Sequence, residues 1–258
     1  DQSKQPVVIS AEDGIQLHGW LFDPDCAGAK LHLYAICCHG YSGQPQDMAK
    51  YAHRFARLGF TVLVPALRGH GLSEGRYAGM GWLDRRDLMR WISLIIGSDA
   101  DARILLQGKS MGAAAVMMTV GEPDLPRNVV AAVEDCGYAS VVQQFIDCAR
   151  SMFHLPKFLA KPIVTTMGAI AQRRAGYGFQ EASCVEQLKH ATIPMLFIHG
   201  GADDFVPSRA LDENFDACAS IDRQKLLIPS AGHSMSASTA PVVYWKTVTN
   251  FVTRVFGL

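Results

Sequence analysis

The sequence predicts an α/β fold, with a mostly parallel central sheet and helices on both of its faces. Apolar runs of strand length alternate with amphipathic segments of helix length along nearly the whole chain, which is typical of this fold class. The chain has 258 residues, of which 49% are hydrophobic, so one domain can bury its own core without disulfides or a metal. We therefore expect residues 1–258 to form a single domain.

An antiparallel hairpin is predicted at the start of the chain, where strands 7–10 and 15–22 flank Asp13 and Gly14. Asp-Gly supplies the positive φ angles that a tight hairpin turn requires. The other elements follow in alternation: strands 31–38, 61–67, 103–107, 129–134, 195–199 and 224–228, and helices 46–58, 81–96, 112–120, 208–220 and 242–255.

The alternation is interrupted over residues 140–190. This segment is rich in Met, Phe, Ala and Arg, contains Pro156 and Pro162, and has no pattern typical of a strand. We expect it to form a helical cap inserted into the domain, above the carboxyl edge of the sheet.

The helix predicted over 81–96 carries a run of charged side chains opposite its apolar stripe. We interpret this run as a solvent-exposed helix face rather than a binding site. Its members are Asp84, Arg85, Arg86, Asp87 and Arg90.

The charge balance restricts the partners of the protein. With 24 Lys+Arg against 24 Asp+Glu, the chain lacks the basic excess that nucleic-acid binding uses, and small or neutral ligands are favoured. A membrane-spanning helix needs about 18 consecutive apolar residues, and the richest run, 111–120, is shorter and is interrupted by Thr119. Because the chain begins at Asp1, two locations stay open: the cytoplasm, or a membrane-anchored or exported state through a segment upstream. The oligomeric state is not predicted.

The cysteines predict neither a disulfide framework nor a metal site. Seven is an odd number, no CxxC or HExxH pattern occurs, and the nine histidines are scattered. We therefore expect no metal and no organic cofactor, and interpret most of the cysteines as small core residues. They are Cys26, Cys37, Cys38, Cys136, Cys148, Cys184 and Cys218.

The strongest chemical signal is the run Gly108-Lys109-Ser110-Met111-Gly112 at a predicted strand-to-helix junction. A serine on such a sharp turn has strained backbone angles, and a Cβ two positions away on either side would collide with neighbouring backbone. The apolar strand before the turn and the small residues after it provide the required context. Ser110 is therefore the predicted nucleophile.

A serine hydroxyl needs a base, and the base needs an orienting carboxylate. Asp203 follows the predicted strand 195–199, and His233 follows the strand 224–228, so both reach the same edge of the sheet as Ser110. The chain order is then nucleophile, acid, base. Asp204 is the alternative acid, but the spacing from the strand favours Asp203, and Asp204 is expected to brace the turn.

Acyl transfer also requires two backbone N–H groups that stabilise the oxyanion. The N–H of Met111 directly follows the nucleophile and lies at the start of a helix, whose dipole favours an anion. We expect the second from Tyr41, in the glycine-flanked loop that ends the buried strand 31–38.

Four further side chains near strand ends or turns are interpreted without a catalytic role. His39, His70 and His199 are expected to brace loops by hydrogen bonding. For Lys109, an ammonium that points into solvent is favoured over a role toward the nucleophile or an anionic leaving group.

The motifs together resemble the α/β-hydrolase superfamily of serine hydrolases over nearly the whole chain. The matching runs are the His39-Gly40 turn, the segment 68–75, the elbow around Ser110 and the run 231–233. The runs 108–118, 135–138 and 203–207 are similar to a bacterial branch of esterase-like hydrolases related to the prolyl-oligopeptidase and monoacylglycerol-lipase groups. This resemblance implies the fold, a Ser110–His233–Asp203 triad and the two oxyanion donors.

The functional hypothesis is a carboxylesterase for small or medium acyl or aryl esters, because the apolar cap offers a pocket and no charged recognition cluster is visible. One alternative is a peptidase or amidase of the prolyl-oligopeptidase type. That type usually adds a large propeller domain, for which this chain has no room. The other is a non-enzymatic binding protein on a hydrolase scaffold, which the presence of all three triad residues disfavours.

Overall fold

The computed structural model describes residues 4–22 and 30–258. Its strands are β1 Lys4–Ser10, β2 Gln16–Phe22, β3 Leu33–Cys38, β4 Thr61–Pro65, β5 Arg103–Lys109, β6 Val129–Asp135, β7 Met195–Gly200 and β8 Arg223–Ile228. They form one eight-stranded sheet in the order β1-β2-β4-β3-β5-β6-β7-β8. Strand β2 runs antiparallel to both of its neighbours, β1 and β4, and all other neighbouring strands are parallel. The predicted fold class is therefore confirmed.

Helices cover both faces of the sheet. A short 3₁₀ turn, Pro45–Met48, precedes the first of them. The helices are α1 Ala49–Arg57, α2 Trp82–Ser98, α3 Met111–Val120, α4 Val141–Phe153, α5 Lys157–Ala175, α6 Cys184–Leu188, α7 Arg209–Ala217, α8 Ser236–Thr239 and α9 Pro241–Phe256. Within the described residues, no helix combines the length and the hydropathy needed to cross a bilayer.

Two apolar cores lie on opposite faces of the sheet. One joins α2 and α3 to the sheet through side chains such as Trp91 and Met117. The other joins α1 and α9 through side chains such as Phe55 and Phe251. This double cover fixes the carboxyl ends of β3, β5, β6 and β7 along one edge, where the loops that carry chemistry begin.

The prediction that the charged face of α2 is exposed to solvent is wrong for its two aspartates, whereas its arginines are exposed or half-buried. Asp84 and Asp87 are buried, because the loop after β4 packs against this side of the helix. The Arg68 guanidinium binds both oxygens of Asp87, at 2.6 and 2.7 Å, and Asp84 accepts from the backbone N–H of Gly81 at 2.8 Å. Burial, together with the charge of Asp87, raises the pKa of Asp84 to about 7.

The predicted cap segment 140–190 contains α4, α5 and α6. One side of α5 packs inward through Ala160, Val164 and Gly168. A neighbouring stripe of large apolar side chains stays exposed on the same helix: Leu159, Ile163, Met167 and Ile170.

The cysteines that the structure describes are free thiols, and five of these six are buried, which agrees with their interpretation as core residues. Cys148 is partly exposed. Cys26 lies outside the described residues.

Candidate active site at the carboxyl edge of the sheet

Ser110 occupies a strained turn between β5 and α3. Its φ of 55° and ψ of −119° lie outside the regions that L-residues normally adopt. A Cβ on Gly108 would come within 2.2 Å of the carbonyl oxygen of Gly112, so the turn closes only with glycine there. The turn lifts the Ser110 side chain to the edge of the sheet.

The structure brings Ser110, His233 and Asp203 into one hydrogen-bonded chain. Ser110 Oγ lies 2.8 Å from His233 Nε2, and His233 Nδ1 lies 2.7 Å from Asp203 Oδ2. Because Asp203 can only accept when ionised, Nδ1 carries the proton and Nε2 faces the serine hydroxyl as an acceptor. This geometry allows the imidazole to take the proton of Ser110.

Both oxygens of the Asp203 carboxylate contact hydrogen-bond donors. Its Oδ1 accepts from the backbone N–H groups of Phe205 at 3.0 Å and Val206 at 2.8 Å, and His199 Nε2 lies 3.4 Å from Oδ2. Burial alone would raise the pKa of Asp203, but the hydrogen bonds from His199 and His233 hold it well below the usual aspartate range. The carboxylate therefore stays charged beside His233 throughout the neutral pH range.

The role of bracing this turn belongs to Asp203 and not to Asp204. The sequence-based expectation gave it to Asp204, whose side chain is exposed and makes no hydrogen bond within the described residues. One carboxylate performs both tasks because its two oxygens point in different directions.

Two backbone N–H groups beside Ser110 are available for an anion. Within the described part of the chain, neither the N–H of Tyr41 nor that of Met111 donates a hydrogen bond to another group. Gly40 lies so close to the nucleophile that a Cβ there would be 3.2 Å from Ser110 Cβ. The Tyr41 loop therefore borders the reacting hydroxyl, as the predicted oxyanion site requires.

Two histidines tie the loops around the site together. His39 Nδ1 donates to the carbonyl of Gly40 at 2.8 Å, and its Nε2 accepts from the N–H of Leu67 at 3.0 Å. His70 Nε2 accepts from the N–H of Ser42 at 3.1 Å. Burial lowers the pKa of His39 to about 4, so its ring stays neutral and can accept. Both histidines make the loop-bracing contacts that the sequence predicts.

Sequence reasoning missed the buried acids beneath the triad. Glu134 and Asp135 end β6 and have no exposed surface. Glu134 Oε2 accepts from the N–H of Gly137 at 3.0 Å, whereas Oε1 has no partner, and burial raises the pKa of Glu134 to about 8. The Asp135 carboxylate accepts from the Tyr244 hydroxyl at 2.8 Å. Two acids at the end of a strand next to the elbow strand are the signal that could have found them.

Two cavities meet at Ser110. The apolar cavity, of about 480 Å³, lies toward α4 and α5 and is walled by aromatic rings, including Phe145, Phe179, Tyr138 and Tyr177. Both tyrosine hydroxyls donate to backbone carbonyls at 2.8 and 3.0 Å, so their rings present apolar faces. The other, here called the histidine-side cavity, has about 310 Å³ and is lined by His233 together with Gly40, Tyr41, Lys109 and Ser234.

One group in the described residues has side chains spaced to hold a metal ion: Cys136, Asp203 and His233, whose ligand atoms lie within 4.8 Å of one another. Two of the three already bind each other. Burial raises the pKa of the Cys136 thiol well above its ordinary value, so the thiolate that a metal needs is disfavoured.

The sheet order, the strained serine turn and the loops that bring an acid and a histidine to one edge define an α/β hydrolase. Residues 31–161 match the model of the Hydrolase_4 family, serine aminopeptidase S33. The chain belongs to this family and is a hydrolase.

Relatives match most of the chain. YqkD of Bacillus subtilis, an uncharacterized protein, is 26% identical over 250 residues, which cover 96% of this chain and 79% of YqkD. Rv2307c of Mycobacterium tuberculosis, also an uncharacterized protein, is 29% identical over 231 residues, which cover 88% of this chain and 72% of Rv2307c. Neither name assigns a substrate.

Among solved structures, the esterase Pf2001 of Pyrococcus furiosus is similar, with a TM-score of 0.77. The match covers 98% of this chain and 92% of that one, at 19% identity. At this identity the likeness establishes the shared fold.

Proposed function

We propose that the protein is a carboxylesterase that cleaves small or medium acyl or aryl esters through an acyl-enzyme on Ser110. The observation that carries the proposal is the 2.8 Å contact between Ser110 Oγ and His233 Nε2, continued to Asp203 at 2.7 Å. At a distance of 2.8 Å a base can take the proton of an attacking hydroxyl.

The proposed reaction has two halves. Ser110 Oγ attacks the ester carbonyl carbon while His233 Nε2 takes its proton, and the carbonyl oxygen becomes an oxyanion between the N–H groups of Met111 and Tyr41. The C–O bond to the alcohol then breaks, and His233 returns the proton to the leaving oxygen. Water repeats these steps on the acyl-enzyme and releases the carboxylic acid. Asp203 holds the imidazole tautomer throughout.

The apolar cavity suits an acyl group. Its volume of about 480 Å³ lies within the usual range for small-molecule sites, and aromatic and aliphatic side chains dominate its walls. Phe145 of α4 and Met167 and Ala171 of α5 form part of these walls. We therefore propose that the segment 140–190 acts as the cap over the acyl group.

Aminopeptidase chemistry, which the name of the family suggests, is less well supported. The free amine of a peptide substrate belongs to the acyl half and needs a carboxylate near the acyl carbon. The described lining of the apolar cavity contains no Asp or Glu. The similarity to a solved esterase structure supports ester hydrolysis over peptide hydrolysis by analogy.

The test combines covalent labelling with turnover. A fluorophosphonate probe should label the wild-type protein, and p-nitrophenyl esters from acetate to octanoate should be hydrolysed faster than the matching anilides. Ser110→Ala should lose labelling and lower kcat/KM by about 10³-fold or more. Ser93→Ala is the matched control, because the Ser93 hydroxyl donates to the Met89 carbonyl within α2. If Ser110→Ala keeps more than a tenth of the wild-type rate, the proposed nucleophile is wrong.

A further inference from the structure

The position of His233 determines which half of an ester enters each cavity. In the proposed reaction His233 returns a proton to the leaving oxygen, so the alcohol must lie on the side of its imidazole. His233 lines the histidine-side cavity and does not line the apolar cavity. The alcohol therefore occupies the histidine-side cavity, and the acyl group occupies the apolar one.

Lys109 lines this alcohol-binding cavity directly beside the nucleophile. Lys109 is half-buried. Its ammonium forms no hydrogen bond or ion pair within the described residues, although its charge acts on His39, Lys50 and Asp135 around the cavity. A residue with an unpaired ammonium thus lines the cavity in which the alcohol would sit.

No neighbouring group among the described residues pairs directly with this cation. Lys50 is a second ammonium, and burial together with the Lys109 charge lowers its pKa. Asp47 also lines the cavity, but its Oδ2 accepts from the backbone N–H of Gln44 at 2.9 Å, and it makes no ion pair with Lys109. Asp135 is buried, and burial raises its pKa, which disfavours its charged form. The described lining of the cavity thus contains one ammonium, Lys109, and one carboxylate, Asp47, and because the two do not pair, the ammonium is available to an anionic group of the substrate.

We propose that the natural substrate is an ester whose alcohol bears an anionic group, a carboxylate or a phosphate, that pairs with Lys109. This inference rests on the esterase function proposed above and adds the chemical class of the alcohol. Lys109 acts as a specificity-determining residue: it binds the anion of the leaving group and takes no part in the proton transfers. The acyl half is mainly apolar, because aromatic and aliphatic side chains dominate the walls of the apolar cavity, and Arg174 is the one charged residue in its described lining.

Two matched pairs of butyrate esters test the inference. The first compares 3-carboxy-4-nitrophenyl butyrate with 4-nitrophenyl butyrate, and the second compares 1-butyrylglycerol 3-phosphate with 1-butyrylglycerol by titration of the released acid. The measured quantity is the ratio of kcat/KM for the charged ester over the uncharged ester. The two pairs distinguish a carboxylate from a phosphate.

We expect Lys109→Gln to lower this ratio by about fivefold, the effect of one partly exposed ion pair. Lys109→Glu should lower it further, and Lys109→Arg should keep it. Lys189→Gln is the matched control, since it removes an exposed cation that pairs with Glu186 away from both cavities. In the wild-type protein, raising the salt concentration from about 0.05 M to about 0.5 M should also lower the ratio, because salt screens the pair.

A ratio that neither Lys109→Gln nor salt changes would overturn the inference while turnover of the uncharged esters upholds the esterase function. Absence of turnover for all four esters, with no fluorophosphonate labelling, would instead contradict the proposed function. Should Lys109→Gln fail to fold, the salt dependence of the wild-type ratio decides alone.

Discussion

Gly112 at the start of α3 lies directly against Cys38 at the end of β3: a Cβ on Gly112 would be 2.3 Å from the Cys38 carbonyl oxygen and 2.4 Å from that of His39. The helix that begins after the nucleophile is thus in backbone contact with the loop that carries Tyr41. Any side chain at position 112 must displace one of them, so the nucleophile turn and the proposed oxyanion loop are coupled.

Gly112→Ala should therefore lower both stability and activity. Backbone atoms cannot yield as a flexible side chain does, and we expect a loss of about 3 kcal/mol in the free energy of unfolding. Urea denaturation and fluorophosphonate labelling measure the two effects. Gly97→Ala is the matched control: its Cβ would contact nothing within 4 Å, and in the exposed part of α2 it should stabilise by about 0.5–1 kcal/mol. Equal effects of the two substitutions would contradict the coupling.

Asp203→Asn should lower kcat by about 10⁴-fold, the loss seen when the triad acid of serine proteases is replaced by its amide. The amide can present an N–H to His233 Nδ1 and stabilise the wrong imidazole tautomer. Asp204→Asn should change kcat little, because its side chain is exposed and lies outside the hydrogen-bonded chain. Steady-state kinetics with a p-nitrophenyl ester measures kcat for both variants. A larger loss for Asp204→Asn would shift the assigned acid by one residue.

Glu134 should make the protein less stable as the pH rises. Burial raises its pKa to about 8, above the value of 4.5 for an unfolded chain. Between these values the unfolded chain releases the proton that the folded protein keeps, so the unfolded state binds fewer protons and the free energy of unfolding falls with pH. The contribution of Glu134 is fully present below about pH 4.5 and is lost by about pH 8.

Glu134→Gln is uncharged at every pH and should remove this part of the pH dependence. Urea denaturation of both proteins at about pH 5, 7 and 8.5 measures the difference, and the variant should gain stability over the wild type as the pH rises. The comparison isolates Glu134 because Asp84, whose pKa is raised to about 7, is the same in both proteins. Parallel curves for the two proteins would contradict the prediction.

Ala171→Phe should shorten the acyl chains that the enzyme accepts. Ala171 of α5 lines the apolar cavity, and a phenyl ring there would fill part of its roughly 480 Å³. We expect kcat/KM for p-nitrophenyl octanoate to fall about tenfold relative to the acetate. Ala169→Phe, on the exposed side of the same helix and away from Ser110, is the control. An unchanged chain-length profile would mean that the acyl group lies elsewhere.

The sequence by itself determined the fold class and the residues that could do chemistry. Hydrophobic periodicity and the positions of glycines are local features of the sequence, so the strands and helices predicted individually end within a few residues of the observed ends. The order Ser110, Asp203, His233 also follows from sequence, because each residue lies a few positions after the end of a predicted strand and parallel strands end at one edge. Their assignment as a catalytic triad stays a prediction that the kinetics above will test.

Only the tertiary structure decided which charged groups are buried and what each one faces. Asp84 and Asp87 share a helix with arginines that are exposed or half-buried, and the two aspartates are buried because the loop that carries Arg68 packs over them. In the same way, the raised pKa of Glu134 and the place of Lys109 in the wall of a cavity depend on segments brought together by folding. Periodicity reports the face of an element on which a side chain lies. Desolvation and pairing, which determine its charge and its role, depend on the neighbours that the whole fold supplies.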